Sequence, residues 1–237
     1  MPRWDVALTR QLIEQRYGRE QLYRARHCLR AVHERQRHAR YHFQEAKRLL
    51  KTHIDDRLET ESIHALTLFP EAKERATLDE CLMMVEANMI ACAQGIHSIP
   101  DSLAHVVYFA LGQNLGPKPL KECDVSVRSI VTVLAASTPK HIEIEHILRG
   151  VADQPSFAAL NAIVNHGKHR GIVEPCLAIE PVGRDTPYAM EFGAITYGGR
   201  NYPEREIEEV IAPAYEVASH AVVDIGNAIN RALSIDS

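Results

Sequence analysis

The residues best suited to chemistry form one polar cluster near the end of a predicted helix. Asn161, Asn165 and Lys168 recur at helical spacing and share one helix face, with His169 beside them and Arg170 next in the chain. An imidazole can act as a general acid or base, while two cations can neutralise phosphate charge. The cluster is compatible with a phosphodiester site in which His169 and Asn165 are catalytic and Lys168 and Arg170 bind phosphate.

The same cluster also has a structural interpretation. The neighbouring face of the predicted helix is apolar and is formed by Phe157, Leu160, Ile163 and Val164. An asparagine at the edge of a buried face can fix the helix register, and a Lys-His-Arg ending complements the negative C-terminal end of the helix dipole. On this interpretation Asn165 bonds to the backbone of a neighbouring element, and His169 is satisfied inside the fold.

Histidine, a common metal ligand, is abundant in this chain, with 13 residues. His38, His42 and Glu45 share one face of a predicted helix at a spacing that suits zinc. Cationic side chains crowd the same region: Arg37, Arg40 and Lys47. They would repel a metal ion, and we therefore predict no zinc site here.

Two Glu-x-x-His spacings resemble the motifs of di-iron helical bundles, Glu61 with His64 and Glu143 with His146. With 21 Glu and 13 His in the chain, such spacings arise by chance. No phosphate loop of the Walker or Rossmann type and no nucleophile elbow occurs. We predict neither a metal nor a cofactor.

Features of export and membrane insertion are missing from the sequence. The N-terminus lacks the apolar core of a signal peptide, and the apolar runs are far shorter than the ~20 residues that span a bilayer. The cysteines are odd in number and form no C-x-x-C pair: Cys28, Cys81, Cys92, Cys123 and Cys176. We expect a reduced, cytoplasmic protein.

The net charge of −4 conceals an uneven distribution. Residues 1–58 contain 14 Lys and Arg against 7 Asp and Glu, and the remaining residues contain 13 against 24. A basic segment can bind nucleic acid, or it can pack against acidic residues of its own chain or of a partner. Because the cations are spread around the predicted helix, we expect the arginines to pair with acidic residues of the body.

The apolar spacing predicts one long helix over residues 19–58. A shorter helix from Trp4 to Tyr17 precedes it and ends at Gly18. The apolar seam is too long for a free surface element, so we expect an antiparallel hairpin with residues 71–97 or a contact with a second copy. The seam runs through Leu22, Ala25, Leu29, Val32, Gln36, Ala39, Phe43, Ala46 and Leu50.

Helical signals continue along the chain. A capping-box pattern at Thr77 predicts a helix from Leu78 to about His97, and Asp101 or Ser102 should cap the next one. Further helices are predicted near residues 125–136, 140–150 and 155–168, the last two with a proline near the first turn.

The pattern then changes to short runs rich in β-branched and aromatic residues. Ile172–Val182 and Tyr188–Tyr197 predict a hairpin around the turn residues 183–187. Asn201 then opens a final helix of about 30 residues, which should bend at Pro213.

Together these elements predict a mainly α fold, a helical bundle with one long N-terminal helix and a small β-hairpin before the last helix. We divide it into a basic N-terminal helical segment, residues 1–58, and a helical bundle, residues 59–237, with the hairpin at 172–197. The two should form one compact domain together.

The helical pattern and the end of the 155–168 helix resemble the HEPN superfamily over about residues 60–235. The motif of that superfamily is an arginine, then four to six residues, then a histidine, with a polar residue often following the arginine. Asn165 and His169 match the polar residue and the histidine, whereas Val164 stands at the arginine position. The resemblance implies a helical, commonly dimeric domain; many such domains are metal-independent endoribonucleases of stress, toxin–antitoxin or phage-defence systems.

We therefore predict a HEPN-like binding or interaction module without catalysis, homo-oligomeric, with an RNA or protein partner and no membrane association. Val164 at the arginine position favours the structural interpretation of the cluster. The alternative is a metal-independent endoribonuclease that uses His169, and a histidine-rich metal protein is a more remote one.

Overall fold

The computed structural model describes residues 3–68, 70–136, 141–180 and 186–235. The chain divides into two compact units. The first contains Met1–Gln36, Ile96–Ala158 and Ala214–Ser237, and the second contains Arg37–Gly95 and Ala159–Pro213. The predicted mainly α fold, with a long N-terminal helix and a small antiparallel hairpin before the last helix, is confirmed.

Helix α1, Val6–Leu50, contains the predicted break at Gly18. This glycine has φ 83° and ψ 174°, a conformation essentially restricted to glycine, and it separates the short leading helix from the long one. Beyond Leu50 the chain makes one π-helical turn, Lys51–Asp55, and a last helical turn, α2, Asp56–Leu58. The predicted end near residue 58 is therefore confirmed, with a change of winding before it.

The remaining described helices follow in chain order. They are α3 (Ile63–Thr67), α4 (Ala72–His97), α5 (Ile99–Ala110), α6 (Val127–Ala135), α7 (Ile142–Ala152), α8 (Pro155–His169) and α9 (Ile207–Ser234). Short 3₁₀ turns lie at Gln113–Leu115 and Glu122–Asp124. Within the described residues no helix is long and apolar enough to cross a membrane.

Two predicted helix caps are wrong. Helix α4 begins before Thr77, whose hydroxyl donates to the carbonyl of Lys73 one turn earlier. Asp101 lies in the first turn of α5, where its carboxylate accepts a hydrogen bond from the backbone N–H of Val127 at 3.1 Å. Ser102 donates to the carbonyl of Ser98. These polar side chains bond to partners that local spacing does not specify. The proline at 139, expected near the first turn of another helix, lies outside the described residues.

The first unit is built around α5, which is buried on nearly all sides and packs against α6 and α7. Polar side chains of α1 hold the end of α5. Tyr17 donates to the carbonyl of Leu111 at 3.0 Å, and the Gln21 amide donates to the carbonyl of Phe109 at 2.5 Å. These bonds satisfy carbonyls that a helix end leaves without partners.

The second unit contains an antiparallel pair formed by α4 and the C-terminal part of α1. Ala39 lies against Gly95, where an added Cβ would come within 3.3 Å of the alanine Cβ, and Cys81 contacts the carbonyl of Leu49. Because 39 faces 95 and 49 faces 81, the helices run in opposite directions. The predicted antiparallel hairpin with residues 71–97 is therefore confirmed.

The second unit also contains the predicted hairpin. Strand β1, Pro175–Ile179, pairs antiparallel with β2, Tyr188–Phe192, and the short β5, Arg205–Glu206, adds to the other edge of β2. The predicted turn residues 183–185 lie outside the described residues. In β2 the side chains of Ala189, Met190 and Phe192 are buried, and because Ala189 and Met190 are adjacent, both faces of the strand are covered there.

The predicted extent of the second strand, Tyr188–Tyr197, is wrong: β2 ends at Phe192, and the last three of those residues belong to a second hairpin that the sequence did not predict. Strand β3, Ile195–Tyr197, pairs with β4, Arg200–Tyr202, through Gly198 and Gly199, both with positive φ. The prediction that Asn201 opens the last helix is wrong, because its side chain accepts a hydrogen bond from the Thr196 hydroxyl across this hairpin. Helix α9 begins six residues later and continues through the proline at 213.

Candidate functional site: a cleft and a polar helix end

The polar cluster lies at the C-terminal end of α8, in the second unit, and faces solvent. Lys168, His169 and Arg170 are all exposed. The His169 side chain makes no hydrogen bond to another described residue. Asn165 donates to Asn161 Oδ1 at 2.7 Å on the same helix. The expectation that His169 is satisfied inside the fold and that Asn165 bonds to a neighbouring element is therefore wrong.

The position that carries the arginine in the HEPN motif is part of the core. Val164 is 4% exposed and lines a small apolar pocket of about 70 Å³ together with Ile90 of α4 and Phe192 of β2. Arg170, one of the two cations of the cluster, donates to the carbonyl of Thr196 at 3.4 Å. The guanidinium of Arg170 therefore lies beyond the end of α8 and not on the helix face that contains residue 164.

A larger concave site, which the sequence analysis missed, lies elsewhere in the second unit. It is a cleft of about 260 Å³. Its apolar lining comes from four separate segments: Phe43 and Leu50 of α1, Met89 of α4, Ala189 and Met190 of β2, and Ile207 of α9. Leu50, Met89, Met190 and Ile207 are buried, and Phe43 is half-buried. Such a lining suits a small apolar group.

Two pairs of polar side chains border this cleft. The Tyr188 hydroxyl donates to Asp55 Oδ1 at 2.6 Å. The Lys47 ammonium donates to both carboxylate oxygens of Glu208, each at 3.3 Å, and lies 5.5 Å from the centroid of the Phe43 ring. Apolar walls with a few convergent polar groups are the usual composition of a small-molecule site.

The π-helical turn places one of these polar groups. A π turn widens a helix by one residue, and such turns are frequent at functional sites. Here it spans Lys51–Asp55, and its last residue, Asp55, accepts the hydrogen bond from Tyr188. Desolvation raises the pKa of the Tyr188 phenol, and the hydrogen bond to Asp55 and the charge of that carboxylate raise it further. The phenol therefore stays protonated and acts as a hydrogen-bond donor at neutral pH.

One histidine of the histidine-rich face of α1 contacts a polar side chain of α4. His42 Nδ1 lies 2.9 Å from Asn88 Oδ1 of α4. In the part of the chain that the structure describes, no group of three or more His, Cys, Asp or Glu side chains is placed to hold a metal ion.

The basic N-terminal segment pairs largely with itself. Ion pairs on α1 join residues that are three to five positions apart: Arg19 with Glu14, Arg24 with Glu20, Arg30 with Glu34 and Arg48 with Glu45. Pairs that leave the helix join Lys47 to Glu208 and Arg57 to Glu74. The predicted pairing of the arginines with acidic residues of the body therefore holds for Arg57, whereas Arg19, Arg24, Arg30 and Arg48 pair along their own helix.

Little in the sequence indicates this cleft. Its lining residues look like ordinary core positions, and its polar groups stand far apart in the chain, since Tyr188 follows Asp55 by 133 positions. Comparison with models of protein families, with curated proteins and with solved structures gave no match to this chain.

Proposed function

We propose that this chain is a non-catalytic binding module of HEPN-like character whose ligand site is the cleft of the second unit. The observation that carries the proposal is a preformed concavity with an apolar floor and two oriented polar pairs. Sites of this composition bury a small ligand and fix its orientation with few hydrogen bonds.

The polar groups of the cleft support binding rather than chemistry. Tyr188 is bonded to Asp55, and the raised pKa of its phenol keeps it neutral. Lys47 is bonded to Glu208. General acid–base catalysis works best with a group that titrates near the operating pH. These pairs are suited to hold and orient a ligand.

Methionine methyl NMR tests the proposal directly. Met89 and Met190 line the cleft, and Met83 of α4 is 60% exposed and does not. With ¹³C-methyl methionine labelling of the full chain, a mixture of small amphipathic fragments should shift Met89 and Met190 and leave Met83 unchanged. Resonances of Met89 and Met190 that respond to no fragment at millimolar concentration would contradict the proposal.

The second candidate function is a metal-independent endoribonuclease. It is favoured by the exposure of His169 beside Lys168 and Arg170, since an exposed imidazole and two cations can approach a phosphodiester. The test is RNA cleavage in EDTA by the wild type, His169→Ala and, as a matched control, His220→Ala, an exposed histidine of α9. We expect no cleavage by any of them. Cleavage lost only in His169→Ala would replace the binding-module proposal.

We further propose that the protein is cytoplasmic and homo-oligomeric. The five cysteines are free, which supports a reducing compartment. Exposed apolar side chains such as Tyr41 and Met83 of the second unit support contact with another chain. Light scattering of the purified protein should give a mass above 26.6 kDa, and a monomer at micromolar concentration would contradict this.

A further inference from the structure

The charges around the cleft favour one class of ligand. Among the described residues that line the cleft, the carboxylates of Asp55, Glu206 and Glu208 outnumber the ammonium of Lys47. The local charge is therefore negative, and it attracts cations and repels carboxylates and phosphates. The apolar floor requires that the cation carry a hydrocarbon body.

The cleft already holds an ammonium group of its own. Lys47 Nζ lies 3.3 Å from each carboxylate oxygen of Glu208 and 5.5 Å from the centroid of the Phe43 ring. A carboxylate and an aromatic face are the two partners that proteins use to recognise organic cations. Lys47 thus occupies the position that the charged end of an amine ligand would take.

Lys47 can vacate this position at little cost. Its side chain is 54% exposed and that of Glu208 is 51% exposed, so the pair is a solvent-exposed ion pair of the weak kind. A flexible lysine that swings outward leaves the carboxylate and the ring in place. A ligand with an apolar body gains the contacts of the floor in addition.

We propose that the cleft binds a primary amine with a small apolar body, which displaces the Lys47 ammonium from Glu208 and Phe43. This inference rests on the proposed function and specifies its ligand class. The amine nitrogen bonds to Glu208, and the hydrocarbon lies on Leu50, Met89 and Met190.

The test compares three probes of one shape, hexylamine, hexanol and hexanoate, titrated against the full chain with ¹³C-methyl methionine. Hexylamine should shift Met89 and Met190 in a saturable manner and bind about tenfold more tightly than hexanol, with hexanoate weaker still. Equal or tighter binding of hexanol or hexanoate would overturn the proposed ligand class.

Two substitutions at exposed positions separate the contributions. Glu208→Gln should weaken hexylamine binding by about tenfold and leave hexanol unchanged. Lys47→Met, which keeps the aliphatic stem and removes the competing ammonium, should strengthen hexylamine binding up to about fivefold relative to hexanol. Glu59→Gln, an exposed carboxylate outside the cleft lining, is the matched control and should change neither affinity.

The outcomes distinguish this inference from the function on which it rests. If other fragments shift Met89 and Met190 and hexylamine does not, the amine class is wrong and the binding-module proposal stands. If no fragment shifts them, both fail. Hexylamine binding that is unaffected by Glu208→Gln also overturns the inference.

Discussion

Trp4 lies directly against Gly226 of α9: a Cβ at position 226 would come 2.1 Å from Cδ2 of the indole. The indole N–H donates to Thr9 at 2.7 Å, and Thr9 donates in turn to Asn230 Oδ1 at 2.6 Å. The hydrogen bond holds the edge of the indole ring. The face of the ring lies in the space that a side chain at position 226 would fill. Position 226 therefore requires glycine for steric reasons.

Gly226→Ala should lower the free energy of unfolding by about 1–3 kcal/mol, because the added methyl group forces the indole out of its site. Trp4 is the only tryptophan, so urea denaturation followed by its fluorescence reports on this contact. Gly150→Ala is the control. Among the described residues outside its own helical turn, no atom lies within 4 Å of the added Cβ, and alanine should stabilise α7 by about 0.5–1 kcal/mol. Equal stability of the two variants would contradict the steric role.

Gly18→Ala should destabilise for a different reason. An added Cβ meets no atom of the described residues beyond its chain neighbours within 4 Å, but φ 83° with ψ 174° is a conformation that alanine does not adopt without strain. We expect a loss of about 1–3 kcal/mol in chemical denaturation. Gln15→Ala, an exposed position one turn earlier, should stay within about 0.5 kcal/mol of the wild type. An unchanged Gly18→Ala would mean that the break in α1 is not needed for stability.

The buried thiol of Cys92 should make stability fall in alkaline solution. Burial raises the pKa of this thiol from 9.0 to about 12. Above pH 9 the unfolded chain loses the thiol proton while the folded chain keeps it, so deprotonation favours unfolding. The contribution of the neutral thiol to the free energy of unfolding is fully present below pH 9. It is lost as the pH rises toward 12, at up to about 1.4 kcal/mol per pH unit.

Denaturation midpoints between pH 8.5 and 10.5 check this prediction. The dependence on pH should be shallower in Cys92→Ala than in the wild type. Cys123→Ala, at an exposed cysteine, should keep the slope of the wild type. If Cys92→Ala has the same slope as Cys123→Ala, the buried thiol is not the titrating group.

His169→Ala should change the free energy of unfolding by less than about 0.5 kcal/mol, because the side chain is exposed. Val164→Arg at the neighbouring core position should cost several times more, since it would place a guanidinium in an apolar pocket. Thermal denaturation of both variants measures the contrast. A large loss for His169→Ala would restore a structural role for this histidine.

RNA should bind weakly at physiological salt. Arginines of α1 form ion pairs along their own helix, among them Arg24 with Glu20 and Arg30 with Glu34, which reduces the charge available to phosphates. Fluorescence anisotropy with labelled RNA should therefore show little binding at 150 mM salt, a concentration at which weak phosphate contacts are screened. Tight binding that falls steeply with added salt would contradict this.

The helices of this protein follow from local sequence. The apolar seam of α1 recurs at helical spacing, and Gly18 breaks it because only glycine takes that conformation readily. The antiparallel pairing with α4 was predictable too, since a long apolar face must be covered and a neighbouring helix in the chain covers it most simply. The first hairpin was likewise predicted from β-branched residues around turn residues.

Positions that depend on a distant partner were decided by the tertiary structure. Asp101 was expected to cap its own helix and instead bonds to Val127, and Asn201 was expected to open α9 and instead bonds to Thr196. A short polar side chain can satisfy its hydrogen bonds in either way, so its local spacing does not choose between them.

The same division applies to the candidate sites. The sequence by itself placed Asn165, Lys168 and His169 on one helix face, because helical periodicity fixes which residues share a face. It could not say whether that face is buried, and only the tertiary structure turned it to solvent. The cleft lay wholly beyond sequence reasoning, because Asp55 and Tyr188 meet through the packing of separate segments, and no local pattern encodes such a meeting.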